Sequence, residues 1–308
     1  MTKEELTIFI KSEALRLGFT ICGIAKAEPV QNETALAYNH WIEQGNHSTM
    51  GYLERNLEKR FNPTLLVEGC KSIVCVAMNY TPAQTVEGIA AYAQGMDYHK
   101  VIKDKLYLLL QSINSFCAVQ GRAFCDSAPV LERYWAVKAG IGHIGRNRQL
   151  IIPGKGSKFF LGELFVDIEL CYDAPCERNL CGNCRKCIDA CPGKALSENG
   201  LNAHKCLSYL TIEHRGELPE NIGEKMENCF YGCDRCQAVC PHNRFATPNT
   251  TPELQPSEAL LQMTKEKWST LTKEEYKTLF KHSAVERCKY EQLMRNITAW
   301  ETSEKTDK

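Results

Sequence analysis

Two cysteine runs in the second half of the chain constrain its fold more than any other feature. The first run consists of Cys181, Cys184, Cys187 and Cys191. The second run consists of Cys233, Cys236 and Cys240. A proline follows the last cysteine of each run, at Pro192 and Pro241. Because proline fixes its φ angle and lacks an N–H donor, it suits a turn that leads the chain away from a ligand group.

The spacing within the runs is typical of cysteines that hold two 4Fe–4S clusters. In bacterial-type ferredoxins, three closely spaced thiolates bind one cluster and the fourth binds the other. This crossing predicts a first cluster bound by Cys181, Cys184, Cys187 and Cys240. It predicts a second cluster bound by Cys191, Cys233, Cys236 and one further thiolate. Phe230 stands where regular spacing needs that ligand, so the spacing leaves Cys229 and Cys206 as alternatives.

Structural zinc is the other interpretation of paired Cys-x₂-Cys motifs. One zinc ion explains four thiolates, but it does not explain three-plus-one runs repeated with the same proline. The chain has 17 cysteines and opens on a charged helix instead of a signal peptide. We therefore expect a reducing, cytoplasmic compartment in which thiols bind metals. Two clusters indicate a protein that transfers single electrons.

Composition adds few further constraints. The 308 residues allow one large domain and one small domain, and the formal net charge is zero. No stretch approaches the roughly 20 apolar residues of a membrane span, so we expect no membrane partner. Residues 133–158 contain six basic and no acidic side chains. Such a stretch either meets phosphates or is balanced by acids elsewhere in the fold.

Helical and strand patterns alternate over the first 170 residues and predict an α/β domain. A capping box at Thr2 and Glu5 opens the first helix, and 101–119 has a long helical pattern. Apolar runs predict strands at 19–25, 71–78 and 159–170, the last interrupted by Gly162.

The remaining chain divides at the cysteines and at a proline-rich loop. We predict a ferredoxin-like module over 171–246 and a C-terminal segment over 247–308, which follows the α/β domain of 1–170. The C-terminal segment contains a loop with three prolines, a helical stretch at 273–300 and a polar tail.

Three polar constellations lie outside the cysteine runs. Asp126 heads a turn that leads into a helix, where capping is the commoner role for an acidic residue. Asp97 and His99 precede the long helix, where they too fit a helix start. Glycines allow close approach of the backbone to a bulky ligand, and three of them stand at Gly140, Gly142 and Gly145.

Taken together, several segments resemble the epoxyqueuosine reductases, cobalamin and iron–sulfur enzymes that make queuosine in tRNA. The resemblance covers roughly residues 1 to 250 in the expected order. It is carried by both cysteine runs and by residues 92–99, 126–133, 139–147, 209–216 and 241–246. His242 stands where tryptophan is common in that family.

The resemblance implies a cobalamin bound by the N-terminal domain and a cluster module packed against it. It also implies that Cys206, and not Cys229, completes the second cluster. Asp126 matches the acidic residue beside the cobalt, the proposed proton donor. Further positions fall in segments that the family uses around the corrin, namely Arg60, Asp97, His99, His143 and Asn147.

The implied reaction is a two-electron reduction of epoxyqueuosine with loss of water at the wobble position of an anticodon loop. A flavodoxin- or ferredoxin-type donor supplies electrons through the clusters to cobalt. Asp126, with a pKa raised by an apolar site, protonates the departing oxygen. Single-stranded loop bases can be splayed into a protein pocket. We expect phosphate or substrate contacts from Arg133, Arg215 and Arg244, and a monomer.

Many relatives continue into a helical-repeat region that helps to grip tRNA, whereas this sequence ends after one helix and a polar tail. The tRNA surface is then expected to be smaller or to come from the catalytic domains. Two alternatives are a reductive dehalogenase-like enzyme with the same cofactors and an electron carrier without its own substrate. An α/β domain of about 170 residues is more protein than a carrier needs.

Overall fold

A four-stranded antiparallel sheet forms the centre of the N-terminal half. The computed structural model describes residues 1–304. Its strands are β1 (Ile21–Lys26), β2 (Ser72–Asn79), β3 (Gly88–Ile89), β4 (Gly121–Phe124), β5 (His143–Ile144), β6 (Leu150–Ile151), β7 (Phe159–Val166), β8 (Leu196–Ser197), β9 (Gly200–Leu201) and β10 (Cys229–Tyr231). The strand order of the main sheet is β1-β2-β7-β4, and three two-stranded sheets are formed by β3 with β10, β5 with β6 and β8 with β9.

Helices cover both faces of this sheet and make up most of the C-terminal part. They are α1 (Lys3–Arg16), α2 (Asn32–Glu43), α3 (Leu57–Phe61), α4 (Pro63–Leu66), α5 (Tyr98–Asn114), α6 (Glu132–Lys138), α7 (Lys186–Asp189), α8 (Leu207–Ile212), α9 (Gly223–Met226), α10 (Arg235–Ala238), α11 (Glu258–Leu261), α12 (Lys265–Ser269), α13 (Lys273–Leu279) and α14 (Tyr290–Glu304). The mixed fold class is confirmed, with an α+β arrangement because the strands of the main sheet all pair antiparallel.

The two faces of the sheet bury different cores because successive side chains of a strand point to opposite faces. Strand β2 is buried along seven of its eight residues, as the continuous apolar run predicts. Val74 and Val76 pack with α1 and α5, while Ile73 and Cys75 pack with Trp135 and its neighbours on α6. The sheet therefore fixes α5 and α6 on opposite faces.

Two predicted elements of this domain differ from the observed ones. The long helix spans Tyr98–Asn114 instead of 101–119, so Phe116 lies beyond it and is 55% exposed. Strand β7 continues through Gly162, which pairs with Val76. A Cβ at Gly162 would lie 2.5 Å from Ile102 Cγ2, so the glycine permits close packing of α5 and does not interrupt the strand.

The glycines predicted to approach a ligand serve the protein's own packing. A Cβ at Gly142 would lie 2.4 Å from the carbonyl oxygen of Ile151, and no side chain fits such a gap. Gly142 precedes β5, which pairs with β6. The glycine therefore brings two backbone segments together beside the cysteine module.

A second core joins the cysteine module to the C-terminal segment. Its buried side chains come from three parts of the chain, residues 86–93, 203–231 and 260–300. The predicted helix over 273–300 is wrong as one element, because Phe280 to Lys289 separate α13 from α14. The domain boundaries after 170 and 246 stay a prediction. Part of the predicted polar tail, residues 305–308, lies outside the described residues.

No helix among residues 1–304 combines the length and apolarity that a bilayer crossing requires.

Candidate active site and cluster-binding cysteines

Asp126 lies at the apex of a strained turn that follows β4. Its φ angle is +55°, in the left-handed region that residues other than glycine rarely adopt. The N–H of Ser127 donates to the carbonyl of Cys125 at 2.6 Å, which closes a γ-turn around Asp126. A γ-turn with positive φ at its centre is the rarer and strained form. The capping role is wrong, because α6 begins at Glu132 and its cap position is Leu131.

Two side chains from the start of α5 bind the Asp126 carboxylate. The Tyr98 hydroxyl donates to Asp126 Oδ2 at 2.6 Å, and His99 Nε2 lies 3.2 Å from the same oxygen. The other ring nitrogen of His99 lies 2.6 Å from Asp97 Oδ1. Asp97 caps α5 through the N–H of His99, so its helix-start role is confirmed and coexists with the histidine contact. The Tyr98 ring stacks on Phe160 of β7 at 4.3 Å between centroids.

These contacts decide where the site holds its proton. Burial raises the pKa of Asp126, but hydrogen bonds from His99 and Tyr98 outweigh it and lower this pKa to about 2. Burial lowers the pKa of His99, but its hydrogen bonds to Asp126 and Asp97 raise it to about 9. The Asp126 side chain is 59% exposed, so water limits the effect of burial. Asp126 is therefore ionised in this structure, whereas the sequence analysis predicted a raised pKa for its carboxyl group.

Two further carboxyl groups lie beneath Asp126. Glu132 opens α6, and its carboxyl accepts the backbone N–H of Asp126. Glu163 is on β7, fully buried, and neither of its carboxyl oxygens has a hydrogen-bond partner among the described residues. Burial and then the charge of Asp126 raise the pKa of Glu132 to about 8. Burial and then the charges of Glu132 and Asp126 raise the pKa of Glu163 as well.

Replacing Glu163 with Met is expected to stabilise the protein by about 2 kcal/mol, because a buried polar group without a partner is removed. The folded-state pKa of Glu163 lies above its ordinary value of 4.5. The protonated Glu163 side chain therefore contributes its full stabilisation to the folded state at pH values below 4.5. This stabilisation is lost as the pH rises through the folded-state pKa. Thermal unfolding of both proteins at about pH 5 and about pH 8 should give a larger difference at the higher pH. An equal difference at both pH values would contradict the interpretation of Glu163 as a buried acid with a raised pKa.

Side chains from distant segments also lie near Asp126, and no sequence motif pointed to Tyr52 or Arg287. The Arg287 guanidinium lies over the Tyr52 ring at 5.8 Å and 2.5 Å from a carboxylate oxygen of Glu213. Burial, Glu213 and Asp126 raise the pKa of Tyr52 to about 12, against the effect of Arg287. Tyr52 and Arg287 are therefore electrostatic neighbours of Asp126.

The other predicted corrin-binding residues contact groups other than Asp126, Tyr98 and His99. Arg60 is 7% exposed, and its Nη2 donates to the carbonyl of Tyr52 at 3.4 Å. Asn147 is 4% exposed and lines a cavity with three cysteines of the first run. His143 lies on β5, where burial and then His242 lower its pKa. Arg60 Nε is a buried donor without an acceptor in the described chain, which fits a ligand rich in amide and phosphate oxygens such as cobalamin. Asn147 Nδ2 is a second such donor, on a residue that lines the thiol cavity.

The predicted phosphate-binding arginines are all exposed, and the charge of one of them acts on Asp126. Arg133 lowers the pKa of Asp126 through its charge, after burial, the hydrogen bonds and His99. Arg215 donates to the carbonyl of Arg287 at 3.2 Å, and Arg244 lies over the Phe245 ring at 4.6 Å. Within the basic stretch, Arg146 pairs with Glu198, so an acid from elsewhere partly balances it.

The first predicted ligand group surrounds a cavity of about 180 Å³. Its wall includes all four predicted thiols, Cys181, Cys184, Cys187 and Cys240. Burial and then the neighbouring Cys181 raise the pKa of Cys187. His242, where tryptophan was expected, also lines the cavity and lies 3.0 Å from the carbonyl of Leu180. A cavity walled by four thiols fits a 4Fe–4S cluster.

The second ligand group contains Cys206. The pKa of Cys236 is raised first by burial and then by the charges of its neighbours Cys233, Cys206, Cys187 and Cys191. Burial also raises the pKa of Cys206, and the thiol that adds to this effect is Cys191. Cys229 instead donates through its thiol to the carbonyl of Tyr231 at 3.1 Å within β10. This placement supports Cys206 as the fourth ligand.

No group of three or more His, Cys, Asp or Glu side chains within residues 1–304 is arranged to hold a single metal ion. This result and the two thiol groups are compatible, because a cubane of four irons and four sulfides spreads its thiolates farther apart than one zinc ion does.

Comparison with known proteins identifies the two halves of the site separately. Residues 60–127 match the family model described as "Epoxyqueuosine reductase QueG, DUF1730", which includes Asp97, His99 and Asp126. Residues 180–243 match the "4Fe-4S double cluster binding domain", which includes all eight predicted cluster ligands. The predicted two-cluster module is confirmed at the level of this family.

Full-length relatives and solved structures agree. Epoxyqueuosine reductases of Cyclobacterium marinum and Leadbetterella byssophila are 44% and 45% identical, covering 96% and 94% of this chain and 97% and 96% of their own. A crystal structure of epoxyqueuosine reductase with an epoxyqueuosine-modified tRNA-Tyr stem loop has TM-score 0.90 and 29% identity, covering 98% of this chain and 82% of its own.

A Bacillus subtilis epoxyqueuosine reductase, whose catalytic aspartate loop is swung out of the active site, has TM-score 0.88 and 28% identity over 98% of this chain and 82% of its own. These relatives favour neither the dehalogenase-like enzyme nor the electron carrier. The chain belongs to the epoxyqueuosine reductase family of oxidoreductases.

Proposed function

We propose that this chain reduces epoxyqueuosine in tRNA to queuosine, with cobalamin and two 4Fe–4S clusters as cofactors. The observation that carries the proposal is the Asp126 carboxylate, which is open to solvent and bound by Tyr98 and His99 in a chain with two groups of four thiols. Bound cobalamin would supply the low-potential electrons for cleavage of the epoxide carbon–oxygen bond. Arg60, Asp97, His99, Asp126, His143 and Asn147 are the proposed residues of its site.

The stoichiometry of the reaction sets the task of the polar residues. Conversion of an epoxide to an alkene consumes two electrons and two protons and releases one water. One proton goes to the oxygen when the first carbon–oxygen bond breaks, and one leaves with that oxygen as water. The site must therefore deliver two protons in each turnover.

Asp126 and His99 are suited to this delivery. His99 holds a proton at neutral pH, and its Nε2 lies 3.2 Å from Asp126 Oδ2. Exclusion of water by the bound substrate would raise the pKa of Asp126, so that Asp126 takes the His99 proton and passes it to the oxygen. Tyr98 fixes the carboxylate through its hydrogen bond at 2.6 Å. Asp126 is the proposed proton donor and His99 the group that refills it.

Exposed cations provide the proposed tRNA contacts. Arg133 is exposed in the first turn of α6, close enough for its charge to act on Asp126. Arg244 and Phe245 present a cation and a 48% exposed ring after the last cluster cysteine. Arginine and aromatic faces stack on unpaired bases of a single-stranded loop. Arg133, Arg215 and Arg244 are the proposed set.

The electron path and cellular setting complete the proposal. A low-potential donor of the flavodoxin or ferredoxin type reduces one cluster of a monomer in the cytoplasm, where tRNA is modified. The proposed domains are 1–170 for cobalamin and catalysis, 171–246 for the clusters and 247–308 for the C-terminal segment.

The test is an oxygen-free assay with tRNA that carries epoxyqueuosine, followed by nucleoside mass spectrometry. We expect queuosine to form only when cobalamin, clusters and a reductant are all present. Cells that lack the protein should accumulate the epoxide precursor. Failure of the fully loaded protein to convert this tRNA, with queuosine unchanged in the deficient cells, would overturn the proposed function.

A further inference from the structure

Glu132 makes a contact with Asp126 that the proposed chemistry does not use. Its carboxyl oxygen accepts the backbone N–H of Asp126, six residues earlier in the chain. Glu132 itself is fixed, because it opens α6 and this helix is anchored by Trp135 and Ala136, each 1% exposed against the sheet. The bond therefore ties the turn to a rigid element.

The turn needs such a tie. A left-handed conformation at a residue other than glycine is strained and persists only where surrounding contacts enforce it. The Ser127 to Cys125 bond closes the turn but does not orient it relative to α5. The Glu132 contact adds that orientation, and Asp126 then meets Tyr98 and His99.

The charge of Glu132 matters because two other carboxyls face it. Asp126 lies above it, with Arg133 and His99 as the nearby cations. Glu163 lies on the sheet below, where it is paired in register with Cys75 of β2. Three carboxyl groups this close cannot all be ionised. Asp126 has the hydrogen-bond donors and the cations, so the proton stays on Glu132 and Glu163.

We propose that Glu132 is a positioning residue for the proton donor: uncharged in the working enzyme, it holds the Asp126 turn in the orientation that meets Tyr98 and His99. The buried Glu163 contributes by disfavouring a negative charge on Glu132. The role in catalysis rests on the proposed function, while the contact itself does not.

The experiment compares Glu132→Gln, which keeps a neutral carbonyl acceptor, with Glu132→Ala, which removes it. We expect Glu132→Gln to retain kcat within about threefold, and Glu132→Ala to lose about 10- to 100-fold in kcat with little change in KM for tRNA, as for a misplaced catalytic group. Hydrogen exchange of residues 124–131 in the cofactor-loaded protein without tRNA should accelerate in Glu132→Ala only. Glu68→Ala, an exposed carboxyl elsewhere, is the control.

The pH profile gives a second readout. Loss of the Glu132 proton near pH 8 places a second negative charge under Asp126. Wild-type kcat should fall there, and the fall should be smaller in Glu132→Gln. Equal losses of kcat in Glu132→Gln and Glu132→Ala would show that the proton of Glu132, and not its contact with Asp126, is essential. That result would overturn the proposal. Wild-type exchange in Glu132→Ala would also overturn it. If no variant reduces epoxyqueuosine but exchange still separates Gln from Ala, the proposed function fails and the positioning contact stands.

Discussion

Replacement of Asp126 by Asn is expected to lower kcat by about 10²- to 10⁴-fold, the usual contribution of a positioned acid. Asparagine keeps the size of the side chain and an oxygen for the Tyr98 and His99 contacts, but its amide cannot pass a proton to the substrate oxygen. Single-turnover reduction of epoxyqueuosine in tRNA under oxygen-free conditions measures the effect. Cobalamin and iron contents should equal those of the wild type.

Asp104→Asn is the matched control for this variant. Asp104 lies on the same helix as Tyr98 and His99, its side chain is 58% exposed against 59% for Asp126, and it pairs with Lys100. Surface pairs of this kind contribute about 0–1 kcal/mol, so the control should keep its activity. If Asp126→Asn is as active as the control, Asp126 is not the proton donor.

The sequence predicted the parts of the fold whose signal is local. The buried run of β2 and the capping box of α1 both depend on neighbouring residues, and both are observed. The cysteine runs predicted two ligand groups because their spacing is itself the ligand geometry. The helix over 273–300 was wrong because its apolar pattern continues through 280–289, where packing into the second core breaks the helix.

The chemistry of the site depended on contacts that the sequence could not provide. A raised pKa for Asp126 was expected from an apolar site, but the observed pKa follows from Tyr98 and His99, which stand 28 and 27 residues earlier. Glu132 belongs to the segment that carried the family resemblance, but no sequence signal indicated that its carboxyl accepts the backbone N–H of Asp126. An acidic residue within the otherwise apolar strand β7 was the one signal available for Glu163.

Replacement of Cys206 by Ala is expected to remove the second cluster and abolish turnover. The protein should retain about four of about eight irons, because a cubane needs four thiolates and three remain. Electrons from the donor then have no complete path to the substrate site. Anaerobic iron and sulfide analysis and epoxyqueuosine conversion are the measurements.

Cys229→Ala is the control that makes the assignment decisive, because spacing alone allowed either cysteine. The Cys229 thiol donates to the carbonyl of Tyr231. Burial, the charge of Asp234 and then the charge of one predicted ligand, Cys233, raise the pKa of Cys229. Cys206 acts on more of the predicted ligands, with Cys191 as its thiol neighbour and its own charge acting on Cys233 and Cys236. We therefore expect Cys229→Ala to keep both clusters and its activity. Loss of iron in Cys229→Ala with full iron in Cys206→Ala would reverse the assignment.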